Sequence, residues 1–202
     1  MTKKLTYNLS ILALAALLIS GCGPSQFTQG KYDEDINREN NLNDSWSETD
    51  MQKAVNQLIA SAGGSAAVRK AAKPPIVMVT GLQNKTSEHI DTQSIMDMMK
   101  VELTNAGQLQ FVDKEAREDI AGEYEYQESG MVSRETKKGK GGQIGADYIM
   151  NGRLDSIVQQ VGKDKSVYYK LTLNLTNLKT GIIEWTDHKQ IRKTYKKKSV
   201  GI

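Results

Sequence analysis

Hydrophobic and polar positions change period several times along the chain, and each change marks an element. In residues 47–64, Met51, Ala54, Val55, Leu58 and Ile59 fall on one stripe at helical spacing. Ser47 is placed to cap that helix, acids occupy its first turn, and Gly63-Gly64 ends it. Residues 74–82, PPIVMVTGL, are a short apolar run with β-branched members behind two prolines, the pattern of a buried strand. A polar loop, QNKTSEHID, fills 83–91. Helical spacing returns over 91–107 through Ile95, Met98, Met99, Leu103 and Ala106, with Asp91 or Thr92 near the cap and Gly107 past the end. LQFVD, 109–113, predicts a second strand, and 113–126 a helix with Ala116, Ile120, Ala121 and Tyr124 on one side.

Residues 127–145 carry no clear period and fit either a poor helix or a loop. A strand follows over 146–160. Residues 166–178 then alternate strictly, Val167, Tyr169, Leu171, Leu173 and Leu175 against Tyr168, Lys170, Thr172, Asn174 and Thr176. That is a half-buried strand with one wet face. Lys179-Thr180-Gly181 supplies a turn, and 182–195 the return strand, with Trp185 expected to anchor the core beside Ile183. Helices alternate with the first strands, and a hairpin closes the sheet. The predicted fold class is an α/β (α+β) sandwich, a mixed β-sheet flanked by helices and ending in a C-terminal β-hairpin.

The first residues follow another logic. Lys3 and Lys4 precede an apolar run at 11–19, too short for a bilayer span of about 20 residues but suited to a secretory h-region. Ile19-Ser20-Gly21-Cys22 resembles a bacterial lipobox, and Cys22 is the only cysteine. The resemblance implies cleavage between Gly21 and Cys22, acylation of the Cys22 thiol, and anchorage in the lipid bilayer. Several acyl chains make such an anchor stable, since each buried methylene contributes roughly 0.8 kcal/mol. Gly23 behind the cysteine points to the outer membrane. The expected organisation is a lipoprotein signal peptide at 1–21, a flexible tether at 22–46, a globular domain at 47–195 and a basic tail at 196–202.

Charge narrows the partners. Net charge is +3; without Lys3 and Lys4, 25 Lys and Arg face 24 Asp and Glu. That balance lacks the positive field of a general nucleic-acid binder. One cysteine excludes an internal disulfide and a cysteine-based zinc site. His89 and His188 show no metal spacing, and no serine sits in a nucleophile elbow. KKGKGGQIG, 137–145, lacks the order of a phosphate-cradling loop. No catalytic residue, metal or cofactor is assigned.

Four blocks in order, IVMVTGLQNKTSEHID, VELTNAGQLQFVD, IGADYIMNGRLDS and LTLNLTNLKTGIIEWTDHKQIRK, resemble the LpoB family of penicillin-binding protein activators. The resemblance spans most of 74–193. It implies a domain like the N-terminal domain of TolB on an outer-membrane lipoprotein facing the periplasm. It also implies that the domain binds a bifunctional class A penicillin-binding protein and favours its active state, regulating peptidoglycan synthesis without chemistry of its own. A structural or secretion lipoprotein of the curli-secretion type is the alternative; it needs lipid-facing strands of roughly 10 residues beyond those the core uses.

Two segments supply candidate partner contacts. Asn84, Lys85, Thr86 and Glu88 lie in the loop that follows a strand and opens a helix, a common place for binding residues. Lys189, Arg192 and Lys193 belong to a basic run that continues through Lys196, Lys197 and Lys198, with no acid after Asp187.

Overall fold

The computed structural model describes residues 33, 35–40 and 42–197. The expected signal peptide, Cys22, most of the expected tether and residues 198–202 of the expected basic tail lie outside the described residues. The chain divides into Met1–Ile36 and a folded unit, Asn37–Ile202.

The folded unit runs α1 (Glu48–Gly63), α2 (Ala66–Arg69), β1 (Ile76–Lys85), α3 (Thr92–Asn105), β2 (Gln110–Val112), α4 (Arg117–Tyr126), a π-turn (Gln127–Met131), β3 (Tyr148–Val161), β4 (Asp164–Asn177) and β5 (Ile183–Lys196). The strands form a single mixed sheet in the order β2-β1-β3-β4-β5. β1 is parallel to β2 and β3, and β3, β4 and β5 form an antiparallel meander. The α+β class and the closing hairpin agree with the hydrophobic pattern.

Local chemistry sets the helix ends. Ser47 accepts from the Asp50 N–H while the Asp50 carboxylate accepts from the Ser47 N–H at 2.9 Å, a reciprocal capping box. Asp91 caps α3 by accepting from Gln93 and Ser94. Past α3, Gly107 takes φ +65°, Gly107 N–H donates to Thr104 O, and Gln108 N–H to Leu103 O. That pair of bonds is the Schellman stop, and the positive φ explains the glycine.

α1 and α3 cover one face of the sheet. Ala54, Val55 and Leu58 of α1 and Ile95, Met96, Met99 and Leu103 of α3 are fully buried. They pack on Val77, Met150, Leu154, Val167, Tyr169, Leu171, Leu173 and Leu175. Each large side chain withdrawn from water contributes about 1.5–3 kcal/mol, so this interface carries the fold. Trp185 joins it and donates Nε1–H to Ser61 Oγ at 3.1 Å. Ile183 does not; it is exposed beside the bulge between Leu175 and Thr176.

The structure corrects four expectations. β1 continues through Lys85, pairing Gln83, Asn84 and Lys85 with Arg153, Leu154 and Asp155, so the loop shrinks to 86–91. The ladder outlasts the core there, and polar side chains suffice at the sheet margin. The bulge at Val79/Gly81, with Gly81 at φ +120°, also breaks the alternation that would have revealed the strand. α2 is an additional short helix, capped by Ser65. α4 forms, but Ala116, Ile120 and Tyr124 are only half-buried, Ala121 is exposed, and no α4 residue is buried. Residues 127–145 contain the π-turn and irregular chain, again with nothing buried.

The fourth correction concerns the domain edge. Residues 39, 40 and 42–46, placed in the tether by composition, are bound to the domain. Asn40 N–H donates to Thr49 Oγ1 at 2.9 Å, Tyr195 OH to Asn43 O at 2.6 Å, and Lys193 Nζ to Ser45 O at 2.6 Å. Asp44 pairs with Lys165, and the Trp46 ring meets Tyr169 edge-on at 5.2 Å. This strap lies against the lower half of the β4–β5 hairpin, on the helix-bearing side.

Candidate partner-binding surface

The remade loop 86–91 is stiffened by its own side chains. Asn84 Oδ1 accepts from Thr86 N–H at 2.9 Å, and Asn84 Nδ2 donates to Glu88 O at 2.8 Å. Thr86 Oγ1 accepts from Glu88 N–H at 3.1 Å. The Glu88 carboxylate turns to the domain, accepting from Trp46 N–H at 2.8 Å and from the Tyr169 hydroxyl. Burial, and then the bond to Glu88, push the Tyr169 hydroxyl well above the ordinary tyrosine range. Asn84, Thr86 and Glu88 therefore hold the loop's shape, whereas Lys85 is exposed at the end of β1.

Strand alternation splits the basic candidates. Lys189 and Lys193 pair in register with Leu171 and Val167, on the helix-bearing face. Lys189 Nζ donates to Gln57 Oε1 at 2.8 Å. Lys193 is 8 % exposed and its ammonium lies 2.9 Å from the Asp50 carboxylate. This corrects the expectation of a surface grip: the Lys193 charge is spent on the Asp50 carboxylate and the Ser45 carbonyl. Arg192 points the other way.

That other face of the meander bears no helix contact of comparable extent. Its cross-strand rows read Gln159–Ser166–Thr194, Ile157–Tyr168–Arg192, Asp155–Lys170–Gln190 and Arg153–Thr172–His188. Arg153 pairs with Asp155 at 2.9 Å. Among the described residues, Lys85, Lys170 and Arg192 show no ion-pair partner. A shallow trough of about 620 Å³ runs between Ile157, Gln159, Tyr168, Lys170, Gln190 and Arg192. Sequence reasoning placed Tyr168 and Lys170 on a wet face without naming them as contacts. The available signal was an aromatic ring and a cation on the solvent side of an alternating strand.

A second crevice, about 490 Å³, opens where β1 and β2 end under α3, between Val79, Val101 and Phe111. Its rim carries Asp97, whose carboxyl is held below the usual range first by the Lys100 ammonium bonded to it.

Among the described residues there is no group of three or more His, Cys, Asp or Glu able to hold a metal ion, and no helix long and apolar enough to cross a membrane. The geometry offers an open sheet face and a braced loop.

Comparison with known proteins agrees with the blocks seen in the sequence. The family model described as peptidoglycan-synthase activator LpoB matches residues 50–191. The LpoB C-terminal domain from Escherichia coli is 15 % identical, covering 70 % of this chain and 98 % of its own, with TM-score 0.43. The Salmonella enterica domain is 13 % identical with the same coverages and TM-score 0.43. The NMR structure of E. coli LpoB is 15 % identical, covering 87 % of this chain and 84 % of its own, with TM-score 0.44. No curated protein sequence matches significantly. The family match spans well over half of the residues, and the chain belongs to the LpoB family of peptidoglycan-synthase activators.

Proposed function

We propose that this protein is an outer-membrane lipoprotein, cleaved after Gly21 and lipidated on Cys22, whose periplasmic domain binds and activates a bifunctional class A penicillin-binding protein. Residues 22–38 link the anchor to the domain; fully extended they reach roughly 60 Å. The domain performs no chemistry. It binds the active conformation of the synthase more tightly, and each tenfold preference shifts that equilibrium by about 1.4 kcal/mol.

The observation that supports this reading is the open face of the meander. Tyr168, Arg192 and Ile157 share one row, beside Lys170, and neither cation has an ion-pair partner among the described residues. Aromatic and arginine anchors on an exposed, preformed surface are the usual centre of a protein interface. Lys85, in register with Asp155, extends the same face at the end of β1, where the braced loop 86–91 begins.

A pull-down from detergent-solubilised envelopes tests the reading. A class A synthase should be recovered with the wild-type chain, and purified mixtures should polymerise and cross-link faster than the synthase alone. Repeated recovery of no penicillin-binding protein would sink the proposal. Labelled palmitate entering the wild-type chain but not the Cys22→Ser variant tests the anchor separately.

A further inference from the structure

The strap and the loop meet at one side chain. Glu88 sits in loop 86–91, yet its two carboxylate oxygens go to Trp46 N–H of the strap and to the Tyr169 hydroxyl of β4. Tyr169 is 1 % exposed and also lies 3.3 Å from Asp44 O. The Trp46 ring stands edge-on to Tyr169 at 71°. Two further ties hold the strap: the Asp44–Lys165 ion pair and the Lys193 ammonium on Ser45 O. Lys193 is in turn fixed by Asp50 in the first turn of α1.

We propose that Trp46, Glu88 and Tyr169 form a coupling node through which the docked strap holds loop 86–91 in its binding shape. Glu88 is then a positioning residue, and the loop is ordered only while the strap is seated. The linker to the anchor enters the domain through this strap. A pull on the linker arrives first at residues 39–46, and unseating them removes one of the two donors that hold Glu88. The domain thus carries information about its anchor to the edge of its docking face. The anchor, and a docking face bordered by loop 86–91, rest on the proposed function; the coupling of strap to loop does not.

The physical argument is one of alternatives. A carboxylate gripped by a backbone N–H and a buried hydroxyl accepts two charge-assisted bonds, each stronger than a neutral hydrogen bond. Loss of either partner leaves Glu88 a single donor, and the loop then leans on the Asn84 and Thr86 bonds, which are neutral and solvent-exposed. Local opening of 86–91 should therefore track strap release.

Amide hydrogen exchange on the full chain in detergent micelles tests this without any synthase. Tyr169→Phe, which keeps the ring and removes the hydroxyl, should speed exchange at 86–91 by about tenfold or more. Asp44→Lys puts like charge against Lys165 and removes neither donor to Glu88. It should speed exchange at 43–46 and, by about threefold, at 86–91. The exchanged pair Asp44→Lys with Lys165→Asp should restore both. Trp46→Ala loosens the strap by a separate route. In every variant that loosens the strap, an unmoved loop 86–91 overturns the proposal. Failure to recover a synthase would instead count against the proposed function and leave the coupling intact.

Discussion

Tyr169 shows how one side chain can join core, strap and loop. Its ring is buried among Leu and Val side chains, and its hydroxyl is the donor that completes Glu88. Both burial and the adjacent carboxylate disfavour the phenolate, so the folded pKa is raised. A raised folded pKa means that the stabilisation is complete below the unfolded tyrosine pKa, about 10, and is lost as pH climbs beyond it. The wild-type domain should lose stability above pH ~10 at about 1.4 kcal/mol per pH unit from this group. Tyr169→Phe should be less stable at neutral pH yet show a flatter alkaline limb, read from urea unfolding between pH 8 and pH 11 as test conditions of about that range. Equal alkaline slopes in the two proteins would contradict the assignment. Gly152 makes a different demand. A Cβ built there would lie 2.2 Å from Thr172 O and 2.6 Å from Leu173 Cδ2. The obstacle at Thr172 is backbone and cannot rotate away. Gly152→Ala should cost about 1–3 kcal/mol, measured as a lowered urea midpoint with unchanged slope.

The strands and helices differ in how they hold the molecule, and that difference explains what the sequence revealed. β4 was legible because each of its faces meets one environment throughout, helices on one side and water on the other. α1 and α3 were legible because their stripes and caps agree. α4 has a period too, but a period announces a face and not a layer to receive it. Its extensive contacts are with the π-turn alone, and it buries nothing. A proline placed in its interior, Glu123→Pro, should therefore lower helical circular dichroism while shifting global stability by less than about 0.5 kcal/mol. Met99→Ala in α3 should cost about 2–5 kcal/mol in the same assay. A large global effect of the proline would mean that α4 packs on the domain after all. The strap was illegible for another reason. Three of its ties end on the carbonyls of Asn43, Asp44 and Ser45, and a carbonyl has no signature in composition. Burial of Lys193 was hidden because its partner, Asp50, lies 143 positions away and looked like an ordinary first-turn acid. Geometry sorts the candidate contacts: Arg192 outward, Lys193 inward, Glu88 across to the strap.

A chain with nearly balanced charge can still present a one-sided field, and here the imbalance sits on the open face of the sheet. Lys85, Lys170 and Arg192 project there with no ion-pair partner among the described residues, while Asp155 is already engaged by Arg153. Attraction between exposed charges is screened over about 10 Å at 0.1 M salt and about 3 Å at 1 M. If the open face meets the synthase, association should slow as salt rises, because steering acts on the encounter more than on the formed contact. The Tyr168 and Ile157 contacts, being apolar in origin, should persist. Stopped-flow association of the full chain with its synthase across a salt series separates the two contributions. The wild-type on-rate should fall steeply with ionic strength, and the Lys170→Ala, Arg192→Ala double variant should start slower and respond more weakly. Tyr168→Ala should instead raise the off-rate and leave the salt dependence intact, since it removes contact area and no charge. All three side chains stand on the solvent face, so the variants should unfold at the wild-type midpoint to within about 0.5 kcal/mol. A salt response untouched by the double variant would move the interface off this face and leave the crevice under α3, or the edge of β5, as the surface to examine.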